Sequence, residues 1–152
     1  MYATKEIMQT VVVDDALNFS RIDWSPHSFE DPGSRIFWRG GRLFRALRGR
    51  SAEAFLILET NGLVDRIEEW GIVKTWRADC AVPGYDLVVE HAVVAPSPVV
   101  SEWSPSMLLD SALLYCDISA ALAERQLQLP DSHGGNIMFN HTRPMYVDFG
   151  SV

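Results

Sequence analysis

Two carboxylates and one amide near the end of the sequence are the residues best suited to chemistry. Asp131 and Asn136 lie on a glycine-rich segment, and Asp148 follows the hairpin predicted after it. Because a hairpin returns the chain to its starting point, we expect these side chains to converge. Carboxylate and amide oxygens are ligands that Mg²⁺ takes beside substrate phosphates, and a free carboxylate can accept a hydroxyl proton. The pattern therefore indicates phosphoryl-transfer chemistry.

The spacing of these residues resembles a catalytic signature. The segments 131–136 and 148–150 read D-S-H-G-G-N and D-F-G, which resemble the motifs of aminoglycoside phosphotransferases and the wider protein-kinase-like superfamily. This resemblance implies that Asp131 is the catalytic base and that Asn136 and Asp148 bind Mg²⁺, with ATP as the cofactor if the segment is active. The resemblance assigns support of the loop to His133, Gly134 and Gly135.

The sequence also departs from the pattern of an active kinase. Leu129 stands where kinases usually have a supporting His, and no G-x-G-x-x-G segment is present. The residue that would hold the ATP phosphates is unassigned, with Arg45 and Lys74 as candidates. Three alternatives stay open: an active site, an inherited but inactive site, and Asp and Asn residues that only stabilise turns. The inactive site is the favoured hypothesis.

A wider block is similar to a second family. Ser101-Glu102-Trp103-Ser104, the helix that begins near Met107, and the segment 129–148 resemble the region before the catalytic domain in bacterial class I S-adenosylmethionine-dependent methyltransferases, some of them nodulation-related. Ser111 departs from that pattern. The resemblance implies a kinase-like accessory domain that positions a substrate or the neighbouring catalytic domain. The alternatives are a small-molecule phosphotransferase with Asp131 as its base, and a binding module without chemistry.

The residues before the motif predict a small antiparallel sheet and a short helix. Two β-prone runs flank Gly40-Gly41, which indicates a tight hairpin. Ser51 is the predicted N-cap of a helix that Asn61-Gly62 divides and Gly71 ends. Three further β-prone stretches complete the pattern: 72–76 with 87–94 as a second antiparallel pair, and 137–147 as the final hairpin.

The longest predicted element is a helix over residues 107–127, which Ser104-Pro105 would start. Its acidic residues Asp110, Asp117 and Glu124 fall on one narrow stripe, so we expect most of the helix, including Cys116, to be buried. The predicted fold class is α+β. The kinase resemblance implies a reduced protein-kinase-like form of this class, with a small antiparallel sheet and hairpins packed on one long helix plus a shorter helix, and a truncated C-terminal lobe.

Composition sets the broad class of protein. The 152 residues, 47% of them hydrophobic, fit a single globular domain, divided into N-lobe-like (1–98) and C-lobe-like (99–152) parts. Thirteen basic against twenty acidic residues give a net charge of −7, which argues against general nucleic-acid binding. Two cysteines without a CxxC motif and no uncharged apolar stretch of about 18 residues predict a cytoplasmic protein without a membrane partner.

The sequence also makes predictions about partners. The methyltransferase resemblance implies a downstream methyltransferase domain, which would bind S-adenosylmethionine, whereas no cofactor is assigned to this segment itself. We expect Met145 or Tyr146 to expose an apolar surface on the final hairpin, through which a homodimer could form. An arginine-rich stretch forms either a phosphate contact, a solvated face or a dock for an acidic partner. Its members are Arg35, Arg39, Arg42, Arg45, Arg48 and Arg50.

Overall fold

The chain forms an antiparallel sheet, two α-helices and a separate hairpin in the computed structural model, which describes residues 22–28, 31, 33–94 and 98–151. Residues 1–21 of the predicted N-lobe-like part therefore lie outside the described residues. In chain order the elements are β1 (Asp23–Trp24), β2 (Ser34–Arg39), β3 (Arg42–Leu47), α1 (Arg50–Thr60), β4 (Thr75–Arg77), β5 (Leu87–His91), α2 (Pro105–Ala123), β6 (Ile137–Asn140) and β7 (Arg143–Tyr146).

The five-stranded sheet has the order β1-β2-β3-β5-β4, with every neighbouring pair antiparallel. Gly40 and Gly41 join β2 to β3 with φ angles of 56° and 76°. Two consecutive positive φ angles define the turn that matches the twist of a hairpin, and glycine adopts them without strain. Phe37 and Phe44 face each other across this hairpin and stack at 5.3 Å. The predicted hairpin and antiparallel sheet are confirmed.

The shorter helix α1 begins in a different way from the prediction. Its N-cap is Gly49, with a φ of 58° and no capping side chain, so the prediction of Ser51 as the N-cap is wrong. Because the helix starts directly after Gly49, Ser51 lies within the first turn, where its hydroxyl donates to the Gly150 carbonyl at 2.8 Å. The helix ends before Asn61, a 3₁₀ helix follows over Val64–Trp70, and Gly71 ends it, as predicted.

The long helix α2 starts as predicted but is much more exposed than predicted. Ser104 Oγ accepts a hydrogen bond from the Met107 amide at 3.3 Å and caps the helix. The prediction that most of α2 is buried is wrong, as is the expectation that Cys116 is a packing residue. The core contacts one side of α2 only, so four of its residues are buried: Ser111, Leu114, Ile118 and Leu122.

By length and composition alone, α2 would be able to cross a membrane. An 18-residue window of this helix has a mean hydropathy of 1.4, although only 22% of the window is buried in the protein. A helix from the core of a soluble protein passes the same test. The sequence-based prediction of a cytoplasmic protein without a membrane partner therefore stays a prediction.

The final hairpin, β6 with β7, is packed into the main core. The Tyr146 amide donates to the Gly71 carbonyl, and the Val73 amide donates to the Tyr146 carbonyl, both at 2.8 Å. Tyr146 and Met145 are buried as a result, so the predicted apolar surface on this hairpin is absent. The core that encloses Tyr146 is formed by α1, α2, β5 and the hairpin.

Candidate functional site

A cavity of about 800 Å³ lies between the sheet and the C-terminal segment. Asp131, Asn136 and Asp148, which were expected to converge, all line this cavity, and so does Arg45. The volume falls within the range of small-molecule binding sites. The sequence prediction of convergence is therefore correct for all three residues.

Asp148 is held by a buried guanidinium. Arg45 Nη1, on β3, lies 2.8 Å from Asp148 Oδ1, and the Arg45 side chain is 4% exposed against 26% for Asp148. The same Nη1 donates to Ser34 Oγ at 2.7 Å, and Nη2 donates to the Val147 carbonyl at 3.5 Å. Arg45 thus belongs to the site, where its charge is matched by the carboxylate of Asp148.

His91, at the end of β5, extends this network into the sheet. Arg45 Nε donates to His91 Nε2 at 3.2 Å, so the ring proton lies on Nδ1 and is donated to Thr75 Oγ1 at 2.8 Å. Thr75 Oγ1 in turn donates to the Val73 carbonyl at 2.9 Å. Burial lowers the pKa of His91 well below its usual value, and the charge of Arg45 lowers it further. His91 is therefore neutral at pH 7.

The loop before β6 is fixed through its backbone. Asn136 is buried and its Nδ2 donates to the Asp131 carbonyl at 3.1 Å, while Tyr146 Oη donates to the same carbonyl at 3.3 Å. The Asp131 carboxylate stays exposed, 3.4 Å from His133 Nε2. His133 Nδ1 accepts from the Gly135 amide at 3.1 Å, so the ring contacts the backbone of the loop, while its supporting role stays a prediction.

Tyr115 connects α2 to this loop. Its hydroxyl donates to the His133 carbonyl. Burial raises the pKa of Tyr115 to about 12, and the negative charges of Asp131 and Asp148 contribute. The phenol therefore remains protonated and continues to anchor the loop over the whole physiological pH range.

The two glycines of the loop lie at crowded positions. A Cβ on Gly134 would lie 3.2 Å from both methyl groups of Val100, and one on Gly135 would lie 2.8 Å from Cε1 of the His133 ring. A substitution at either position would require the Val100 methyl groups or the His133 ring to shift, and the role of these glycines in supporting the loop stays a prediction.

Lys74, the other candidate for a phosphate contact, is exposed and does not line the cavity. The structure therefore brings Arg45 into the site and leaves Lys74 outside it. Sequence reasoning missed His91, Thr75 and Ser34. The only signal for them was a polar side chain inside an apolar strand, as in the run Val88-Val89-Glu90-His91.

A magnesium ion bound by Asp148 would have to compete with Arg45 for that carboxylate. Asp148 is already paired with Arg45, whereas Asn136 donates from its Nδ2 to the Asp131 carbonyl and thereby keeps its Oδ1, the atom that would bind a metal, out of that hydrogen bond. In the part of the chain that the structure describes, no group of three or more His, Cys, Asp or Glu side chains is placed to hold a metal ion. The metal roles of Asn136 and Asp148 therefore stay predictions.

The arginine-rich stretch makes contacts within the chain. Arg42 Nε lies 2.7 Å from Glu90 Oε1, and the guanidinium of Arg35 lies 4.2 Å from the Trp24 ring. Arg48 lies over the Tyr85 ring at 5.4 Å. These contacts favour an intramolecular role on a solvated face over a shared phosphate-binding patch.

Comparison with known proteins gives one distant similarity. No family model and no solved structure matches the chain. It is 24% identical, over 129 residues, to the Nodulation protein NoeA of Rhizobium meliloti (strain 1021), and the matched region covers 82% of this chain. The chain spans 27% of the length of that relative. The similarity gives weak support to a relationship with a nodulation protein.

Proposed function

We propose that this chain is a kinase-like accessory domain of an S-adenosylmethionine-dependent methyltransferase that binds a small molecule without transferring phosphate. The observation that carries the proposal is the cavity of about 800 Å³ whose polar end contains the buried Arg45 paired with Asp148. A site of this kind holds and orients a ligand through fixed charges and hydrogen bonds.

The order of elements supports the kinase-like part of the proposal. The sheet and the shorter helix come first, and the long helix, the loop with Asp131 and Asn136, the hairpin and Asp148 follow. This is the order that the resemblance to the aminoglycoside phosphotransferases implies. The methyltransferase part rests on the motif resemblance, and the similarity to Nodulation protein NoeA is consistent with it.

The contacts of Arg45, Asp148 and Lys74 argue against phosphate transfer. Arg45 neutralises Asp148, so this carboxylate is a poor ligand for a divalent ion that would accompany ATP. Lys74 lies outside the cavity and cannot hold a phosphate there. The remaining walls are mainly apolar, which fits a ligand with one polar and one apolar end. The apolar lining includes Ile36, Trp38, Leu43, Val73, Val93 and Met138.

Binding in the cavity is tested by NMR titration with nucleosides, sugars and amino acids. We expect at least one compound to shift the amide signals of the cavity residues. A Leu43→Trp variant, which fills the cavity wall, should weaken that binding at least tenfold. The matched control, Leu56→Trp, changes an exposed position on α1 and should bind normally. Binding that survives Leu43→Trp, or no binding by any of the three classes, contradicts the proposal.

A small-molecule phosphotransferase is the second candidate, because Asp131, Asn136 and Asp148 line one cavity. It requires Mg²⁺-dependent consumption of ATP that disappears in Asp131→Asn. We expect wild type and Asp131→Asn to show the same background rate. A wild-type rate at least a hundredfold above that of Asp131→Asn would establish the phosphotransferase instead, since loss of a general base removes about 10²–10⁴ in rate.

A further inference from the structure

The side of α2 that faces away from the core is apolar along its length. Its residues, which we call the outer face, recur at alternating intervals of four and three, the spacing of a coiled-coil seam. Leu109 and Leu113 are 60% and 54% exposed. The outer face consists of Leu109, Leu113, Cys116, Ala120 and Ala123, all on α2.

An acidic groove of about 520 Å³ runs along one edge of the outer face. Asp110 and Asp117, one heptad apart, line this groove together with Glu69, and Leu113 belongs to both surfaces. Arg143 is the one basic residue in the lining, and its Nη2 donates to a backbone carbonyl at 2.9 Å. Within the described residues, neither Asp110 nor Asp117 forms an ion pair.

We propose that the outer face binds an amphipathic helix of a partner polypeptide, with Lys or Arg along the edge that meets Asp110 and Asp117. Large apolar side chains of the partner would cover Leu109 and Leu113. The small residues Ala120 and Ala123 would let the two backbones approach closely. Opposite charges at the edges of such a helix pair fix partner choice and orientation. The proposal does not depend on what the cavity binds.

The acidic edge argues against an antiparallel second copy and against a lipid surface as occupants of the outer face. An antiparallel pairing of α2 with a second copy would bring the two acidic edges together, which costs free energy through like-charge repulsion. A lipid surface would have to accommodate Asp110 and Asp117 beside the apolar face of a chain with a net charge of −7. A basic amphipathic helix complements both the apolar outer face and its acidic edge.

The test uses two synthetic helical peptides of identical leucine pattern, one with lysine and one with glutamate along the edge. Binding to the full chain is followed by fluorescence anisotropy of the labelled peptide. We expect the lysine peptide to bind at least tenfold more tightly than the glutamate peptide. The double variant Asp110→Lys/Asp117→Lys should reverse this preference. Leu109→Gln/Leu113→Gln should weaken binding of the lysine peptide at least tenfold without altering the circular dichroism spectrum of the protein.

A charge-matched control separates specific docking from general attraction. Glu53→Lys/Asp79→Lys changes the net charge equally on exposed positions away from the groove and should leave the preference intact. The proposal would be overturned if Asp110→Lys/Asp117→Lys and Glu53→Lys/Asp79→Lys changed the peptide preference equally. It would also be overturned if the lysine peptide did not bind. Dimerisation in sedimentation analysis that Leu109→Gln/Leu113→Gln abolishes would assign the outer face to a second copy. Leucine-dependent binding to phosphatidylcholine vesicles would assign it to lipid.

Discussion

At the scale of single residues, Arg45 carries the largest share of the polar interactions in the site. Its guanidinium contacts Ser34, His91 and Asp148 as well as the Val147 carbonyl, and it is almost fully buried. A buried charge is tolerated only when it is paired and hydrogen-bonded, so Asp148 has a structural role whether or not it meets a ligand.

We expect Asp148→Ala to destabilise the fold by about 3 kcal/mol, since it leaves the buried Arg45 charge without its counter-ion. Asp148→Asn should cost less, because the amide oxygen can still accept the hydrogen bond. The free energy of unfolding is measured by urea denaturation. Asp131→Ala is the control, and its exposed side chain predicts a change within about 0.5 kcal/mol. Equal stability of Asp148→Ala and wild type would show that the ion pair is unimportant.

At the scale of elements, Gly71 sets how closely the 3₁₀ helix Val64–Trp70 approaches α2. Its φ is 84°, and a Cβ there would lie 2.3 Å from Leu114 Cδ1. Any other residue at this position would therefore meet two obstacles: a strained backbone conformation and a clash between its Cβ and Leu114 of α2. The sequence indicated the stop at Gly71, but the contact with α2 depends on tertiary packing.

Gly71→Ala should destabilise the protein by about 3 kcal/mol, which combines left-handed strain with displacement of a core side chain. Gly62→Ala is a matched control, since Gly62 has a φ of 65° and no atom within 4 Å of a new Cβ. It should cost only about 1 kcal/mol, the strain of the backbone alone. Thermal unfolding of both variants gives the comparison, and similar losses would show that Leu114 simply moves aside.

The elements also show where reading the sequence succeeds. Gly40-Gly41, Asn61-Gly62 and Gly71 are local signals, and each turn or break occurs where it was expected. The burial of α2 was predicted wrongly, because its apolar residues surround most of the helix and periodicity alone cannot say which side faces the core. The Ser51 prediction failed because the helix begins earlier, with Gly49 as the N-cap, which leaves Ser51 inside the helix.

At the scale of the whole molecule, the site joins regions that are distant in sequence. Hydrogen bonds connect Thr75 and His91 in the sheet to Arg45, and Arg45 to Asp148 after the final hairpin. The convergence of Asp131, Asn136 and Asp148 was predictable, because one hairpin brings them together. His91 was not, because its role requires the pairing of β3 with β5, whose paired residues lie 40 or more positions apart.

The buried, neutral His91 predicts that acid destabilises the fold. Its pKa is near 6.5 when unfolded and well below that when folded, so at lower pH the unfolded chain binds a proton that the folded chain does not. Its contribution to stability is therefore present above pH 6.5 and is lost as the pH falls from there toward the folded pKa. The slope reaches about 1.4 kcal/mol per pH unit.

The comparison of wild type with His91→Gln isolates this effect, because the carboxylates titrate in both proteins. The stability advantage of wild type, measured by urea denaturation between pH 7.5 and 5, should shrink below pH 6.5. A constant difference across this range would mean that His91 becomes protonated in the folded protein.

The hydrogen bond from His91 to Thr75 also governs how fast its ring proton exchanges with water. Both ring nitrogens are engaged, and the side chain is buried beneath the cavity between β3 and β4. The proton on Nδ1 can leave only when its hydrogen bond to Thr75 breaks and water reaches the ring, so its exchange rate records how often that local opening occurs. The exchange rate of the His91 ring proton thus reports the rate of the motion that would admit water, or a ligand, to the floor of the cavity.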